Sequence, residues 1–392
     1  MNVCHTRADV ERALEELPSG MEALYDRMAQ SIAKSLSPTD KTFALTILQF
    51  VNCSLRVLTV AELSQALDEG TSQLLESLDL QRAVIDLCCG FVMIDNGGNV
   101  HMIHQTAREY LLSRDKHSLH VDSRSAHQQM FLSCMRSLMA TGLRSKLSRN
   151  QKPEFLDYAA SLWSSHLSFT PIACEQIFQV LKKFLTGQWV LTWIHALTVS
   201  DQLRVLIQAS ENLLQYAAER KVLDSGRNQR PIVEQEMLRS WAVDLVKIVG
   251  KFGTNLRRHP ESIYKIVPPF CPHNSSIYQL FGKNETKSLM VSGLSTANWD
   301  DSLARMYLGY GKRPSSIIAA GSQVAISASP GYVFMYESST FEEAEFSPFM
   351  TGERVYMLAL NSTATILATY GYRTLKFWEI ATGKCTMSVE TL

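Results

Sequence analysis

The chain has 392 residues, 46% of them hydrophobic and 19% charged, with Lys+Arg and Asp+Glu equal at 38 each. That length predicts about two to four domains, each able to bury a core. A net charge near zero argues against a protein whose main task is gripping phosphate backbones, and leaves protein partners open.

The eight cysteines are scattered and form no CxxC pair, which fits reduced thiols in an intracellular protein. Residues 7–36 carry apolar groups at helical spacing (Val10, Leu14, Leu17, then Met21, Leu24, Tyr25, Met28, Ile32), broken by "LPSG" at 17–20. The charged start of this run lacks the apolar core of a signal peptide. "SPTD" at 37–40 reads as a helix start capped by Thr39 or Asp40, opening the buried helix KTFALTILQFVNC. In "LTVAELSQAL", Thr59 and Glu62 have the spacing of a capping box. A further helix is expected over Leu78–Cys88. Two short apolar runs, Phe91–Ile94 and Val100–Ile103, flank Asp95-Asn96-Gly97-Gly98-Asn99, the composition of a β-hairpin turn. A helix over Thr106–Leu112 follows. Three helices and then a two-stranded wing is a winged-helix pattern.

Residues 125–250 read as successive amphipathic helices: His127–Leu138, Phe155–Leu167, Glu175–Leu185, Gln188–Leu197, Leu203–Lys221 and Glu234–Val249. The most apolar window, Phe184–Val199, is too short to span a bilayer and carries Gln188 and His195, so a buried helix in a soluble, cytoplasmic chain is expected. From 256 the text turns proline-rich, "RRHPESIYKIVPPFCPHNSSIYQLFG", yet keeps apolar anchors. An extended, pinned connector is expected over 256–299.

From about 300 the period is two. Val355–Leu360, Ile366–Thr369 and Thr374–Ile380 read as strands joined by "NSTA" and "YGYR" turns, closing on Trp378-Glu379 and "ATGKC". This unit resembles a WD repeat, with Glu379 for the usual Asp, "GYR" where the turn normally holds an Asp, and Thr351-Gly352 where Gly-His usually opens it. A weaker copy is expected over Ile317–Phe341, giving one to two blades, whereas a closed propeller takes about four to eight.

Together, "LPSGMEALYDRM", "LTVAELSQAL", "VHMIHQTAREYLL", "WAVDLVKIVGKFGTNL", "SIYKIVPPFCPHNSSIYQLFG" and "LATYGYRTLKFWEIATG" resemble fungal NACHT–WD-repeat proteins, NOD-like receptors of the signal-transducing ATPase class. The resemblance covers essentially the whole chain. It implies a multidomain α+β layout: the helical tail of a NACHT module (1–37), a winged helix (38–118), an α-helical spacer (119–255), the connector (256–299) and a partial propeller (300–392). The winged helix of such proteins is often named after inositol-deacylase relatives, but no G-x-S-x-G elbow occurs here. Nor does G-x-x-x-x-G-K-[ST]: "GYGKRPSS" at 309–316 and "GKFGTN" at 250–255 both fail it. The resemblance therefore implies a non-enzymatic regulatory scaffold without a cofactor of its own, whose partners are proteins or an upstream NACHT domain. In such proteins a histidine ending the winged helix reaches the β-phosphate of ADP, and His104 in "MIHQ" stands at that place.

Plainer readings compete. His104 could bond a backbone group of the wing. Cys88, Cys89, His101 and His104 could be imagined around a metal, but adjacent cysteines and opposite-facing histidines suit none, and no metal is expected. As a DNA reader, the third helix offers Arg82 against Asp79 and Asp86, so no nucleic acid and no membrane partner is expected. Arg257-Arg258-His259 and Lys182-Lys183 read as solvated or helix-end charges. Cys271-Pro272-His273 lacks the spacing of a catalytic pair, and Asp300-Asp301 after Trp299 reads as a cap. The rival functions are a DNA-binding regulator and an inositol-deacylase- or NTPase-related enzyme fragment.

Overall fold

A computed structural model describes residues 20–67, 80–113, 119–223, 230–283, 291, 293, 296–302 and 306–390. The helix expected before "LPSG" lies outside them. The chain divides into two compact units: Met1–Ala196 with Gln215–Arg227, and Leu197–Leu214 with Asn228–Leu392. The fold is multidomain α+β, with an N-terminal winged helix, a helical middle and C-terminal antiparallel sheets.

The first unit opens with α1 (Met21–Ser35) and α2 (Pro38–Cys53). Ser37, not Thr39 or Asp40, caps α2: its hydroxyl accepts from the Asp40 N–H at 3.2 Å. Pro38 at the first helical position, with its fixed φ and missing N–H, forces the cap back by one residue. The expected capping box is present at α3 (Val60–Ala66), where Thr59 and Glu62 exchange side-chain-to-backbone bonds of 3.1 and 2.9 Å. α4 (Leu80–Leu87) buries Ala83 and Val84 and exposes Arg82 and Asp86.

The wing has three strands, one more than expected: β1 (Leu58–Thr59), β2 (Val92–Ile94) and β3 (Asn99–Met102), in the order β1-β3-β2. Gly98, at φ +76°, supplies the left-handed residue of its turn. Then comes α5 (Gln105–Leu112). Phe43, Ile47, Leu48, Leu63, Val84, Phe91, Val100 and Leu111 form a core in which each side chain contributes about 1.5–3 kcal/mol.

The helical middle contains α6 (Ser123–Leu138), α7 (Leu143–Leu147), α8 (Leu156–Leu167), α9 (Glu175–Thr186), α10 (Trp189–Val199) and α11 (Val205–Leu223). Trp163 sits at its centre, edge-on to Phe131, Phe184 and Trp193. The Trp193 indole donates to the Ala160 carbonyl at 2.8 Å. As expected, α10 is buried along most of its length, and no helix among the described residues is long and apolar enough to cross a membrane.

In the second unit, α12 (Arg230–Arg258) carries a polar row one helical face wide. Ser240 meets the Ser276 hydroxyl at 2.8 Å, and Asp244 accepts from the Ile277 N–H and the Trp299 indole at 3.1 and 2.7 Å. Lys247 donates to the carbonyls of Asp300 and Ser302, and Lys251 pairs with the Asp300 carboxylate at 2.6 Å. Burial pushes the Asp244 carboxyl up to about 6 despite these donors.

The connector is pinned, as expected, but it is not extended. It forms helical turns α13 (Ser262–Lys265) and α14 (Val267–Phe270) and a π-turn at Tyr278–Gly282. Pro268 and Pro269 fall in the first turn of α14, where proline's missing N–H costs nothing.

Two four-stranded antiparallel meanders follow. Sheet 1 is β4 (Pro314–Ala320), β5 (Gln323–Ala328), β6 (Tyr332–Glu337) and β7 (Phe349–Met350); sheet 2 is β8 (Val355–Leu360), β9 (Ile366–Gly371), β10 (Thr374–Glu379) and β11 (Lys384–Glu390). Alternation divides each sheet into two faces. Ala325, Val333 and Met335 of sheet 1 pack on Val355, Leu358, Leu367 and Trp378 of sheet 2. The opposite face of sheet 1, with Val324, Ile326, Phe334 and Tyr336, is covered by Met306 and Leu308.

Sheet 2 replaces the missing turn aspartate from a distance. The Glu353 carboxylate accepts from the backbone N–H groups of Arg373 and Thr374 at 2.8 and 2.9 Å and from the Thr374 hydroxyl. Trp378 donates its indole N–H to Thr369 Oγ1 at 2.9 Å.

Candidate functional site

The wing turn is organised by Asp95. Its carboxylate accepts from the N–H groups of Gly97 and Asn99, the Asn99 amide and His101 Nε2, at 2.8 to 3.1 Å. The Asn99 bonds, foremost among these, hold its carboxyl well below the usual range. His101 is thereby occupied inside the wing.

His104 is the N-cap of α5, in extended backbone that ends strand pairing and starts the helix. Its Nδ1 accepts from the Thr106 N–H at 3.2 Å and lies 2.8 Å from Thr106 Oγ1. Tyr25 on α1 reaches the same hydroxyl at 2.7 Å. Because a backbone N–H can only donate, a neutral His104 ring carries its proton on Nε2. The chain of bonds then runs one way: Tyr25 O–H to Thr106, Thr106 O–H to His104 Nδ1, and Nε2–H outward from an exposed residue. The backbone bond is the plainer of the two sequence readings. A second link, Tyr110 O–H to Asp26 at 2.6 Å, and the packed rings of Tyr25, Phe91 and Tyr110 fasten α1 to α5.

The four imagined metal ligands have separate employments. Cys88 is fully buried, and its thiol is pushed up by burial. Cys89 takes positive φ in the turn after α4, while His101 and His104 bond as described. No group of three or more His, Cys, Asp or Glu suited to a metal gathers among the described residues.

Three helices, a wing between them and a histidine capping the helix beyond define a winged-helix domain. In keeping with that geometry, residues 26–121, about a quarter of the chain, match the family described as GPI inositol-deacylase, winged helix domain. No curated protein matches the chain.

Sequence reasoning missed a buried relay behind this domain. The Leu55 N–H donates to the Tyr158 hydroxyl at 3.0 Å, Tyr158 meets His166 Nε2 at 2.8 Å, and His166 Nδ1 meets His127 Nδ1 at 2.8 Å. The fixed backbone donor orients every proton: Tyr158 O–H donates to His166, whose Nδ1–H donates to His127. Burial, and secondarily His127, depress the His166 imidazole to about 3; burial, then Arg108, lowers His127. Phe169 stacks on His127 with centroids 4.5 Å apart, and the Arg56 guanidinium lies over the Tyr158 ring while forking onto Glu62. The available signal was the position of each histidine on an apolar helical face, His127 with Phe131 and Cys134, His166 with Trp163.

Other sequence candidates are structural. Arg257 pairs with Asp201 and Glu342 at 3.2 and 2.5 Å, and Lys183 lies over the Trp189 ring. The Cys271 thiol donates to the Val267 carbonyl, while the His273 ring packs on Tyr278. Asp300, read as a cap, instead binds Lys251 through its carboxylate. "GKFGTN" lies inside α12, and Lys312 of "GYGKRPSS" sits over the rings of Tyr332 and Phe334.

Proposed function

We propose that this chain is a non-catalytic regulatory scaffold of the NACHT-receptor type, cytoplasmic, working through protein contacts rather than through nucleic acid. Its winged helix clamps an ATPase domain, and its two sheets act as WD-like blades that meet a partner. The observation that carries the reading is the fixed tautomer of His104. With Nδ1 held by the Thr106 N–H, Nε2–H is the group offered outward beside a helix N-terminus, a donor suited to a phosphate oxygen. The matched winged-helix family and the lack of a phosphate loop or nucleophile elbow in the sequence support it further.

The test is nucleotide retention. The purified chain is filtered with radiolabelled Mg-ATP and Mg-ADP, alone and mixed with a NACHT ATPase domain. The chain alone should retain neither nucleotide. In the mixture it should slow ADP release, and His104→Ala should abolish the slowing. Tight Mg-ATP binding by the 392-residue chain alone would overturn the proposal.

A further inference from the structure

Sheet 1 and sheet 2 are copies of one pattern, and the copy leaves one face of sheet 2 bare. Aligned strand for strand, Ala325, Ser327, Val333 and Met335 of sheet 1 correspond to Ala368, Tyr370, Leu375 and Phe377 of sheet 2. In sheet 1 that face is covered by sheet 2. In sheet 2 the same face points to solvent. Its side chains form continuous rows across all four strands: Ala359, Ala368, Phe377 and Met387 in one, and Met357, Tyr370, Leu375 and Val389 in the next. Met357 is 65% exposed, Met387 51% and Tyr370 42%. With the flanking Tyr356 and Ile366, such a face offers about 700 Å² of accessible surface. Stable interfaces bury about 800 Å² per partner, and apolar patches of this size rarely stay bare on monomers.

We propose that this face is an interface between two copies of this chain, stacked sheet on sheet about a two-fold axis. Three observations select a second copy. The face continues an interface already built once within the chain. The equivalent faces that could have received it are covered, those of sheet 1 by sheet 2 and by Met306 and Leu308. The charges are also self-complementary. β10 runs from Arg373 to Glu379 and β11 from Lys384 to Glu390. A two-fold axis crossing the strands reverses their direction, so Arg373 of one copy meets Glu379 of the other and Lys384 meets Glu390. This rests on the sheets alone and is independent of the receptor reading.

Sedimentation velocity over a wide dilution series tests it on the full chain. A concentration-dependent dimer is expected, with Met357 and Met387 protected from peroxide oxidation, read by mass spectrometry, only where the dimer forms. Phe377→Lys should weaken association about a hundredfold, as for a central buried anchor. Arg373→Glu and Glu379→Arg should each weaken it about tenfold, and the double reversal should restore it. The double reversal keeps the test decisive should Phe377→Lys misfold. A chain that stays monomeric at every concentration, or folded reversal variants that do not rescue each other, would overturn the proposal.

Discussion

The buried relay makes the first unit acid-sensitive by an amount that can be worked out. In the fold, His166 has no room for a second proton: Nε2 receives the Tyr158 O–H and Nδ1–H already donates to His127. Its folded value is depressed to about 3 from the ordinary 6.5. As pH falls through 6.5 the unfolded chain takes up a proton that the folded chain refuses. Stability is therefore complete above that point and drains away below it, towards pH 3. Between pH 7 and pH 5 the loss from this one side chain is about 2 kcal/mol. His127, lowered for the same reason, adds to it. The perturbation is His166→Gln, whose amide can accept from Tyr158 and donate to His127 without titrating. Native-state hydrogen exchange of α8, corrected for intrinsic rates, reads the local opening free energy in both proteins at both pH values. The wild type should lose about 2 kcal/mol more than the variant. Equal losses would refute the reasoning, since every other titrating group is common to both.

Four further outcomes are expected. Thr59→Ala removes half of the capping box and should cost about 1 kcal/mol in thermal or urea unfolding of the first unit. His104→Ala should cost about 1 kcal/mol at α5, seen as faster exchange over Gln105–Leu112, whereas His104→Asn should retain most of the cap. Asn52 is fully buried with neither end of its amide hydrogen-bonded, so Asn52→Leu should raise stability by about 1 kcal/mol, measured by the denaturation midpoint. Thr369→Val leaves the Trp378 indole N–H buried without an acceptor and should destabilise sheet 2 by about 1–3 kcal/mol, while Thr369→Ser should not.

The wing and the capping box were legible because their causes are local. "DNGGN" needs positive φ, and Thr59 and Glu62 satisfy each other within one turn. The four-stranded sheets were legible in part: period two marked the strands, but nothing local pairs Glu353 with the turn at Arg373. The connector was misread because prolines count as helix breakers in a sequence, yet two of them occupy a first turn, where the missing N–H has no partner to lose. The relay was invisible because its members are 39 residues apart at one link and 103 at another, and only packing brings them together.

The joint behind the wing bears on how such a module can be moved between proteins. The Ala66 carbonyl accepts from both Ser133 and Arg136, the Phe155 N–H donates to Gln65, and the Leu55 N–H ends on Tyr158. Each of these donors and acceptors lies on the far side of residue 121, where the family match ends. Recombination at that seam would transplant a recognisable text but orphan its polar groups. The smallest heritable piece that also folds runs on through α8, so gene-level shuffling must carry both halves or rebuild the joint.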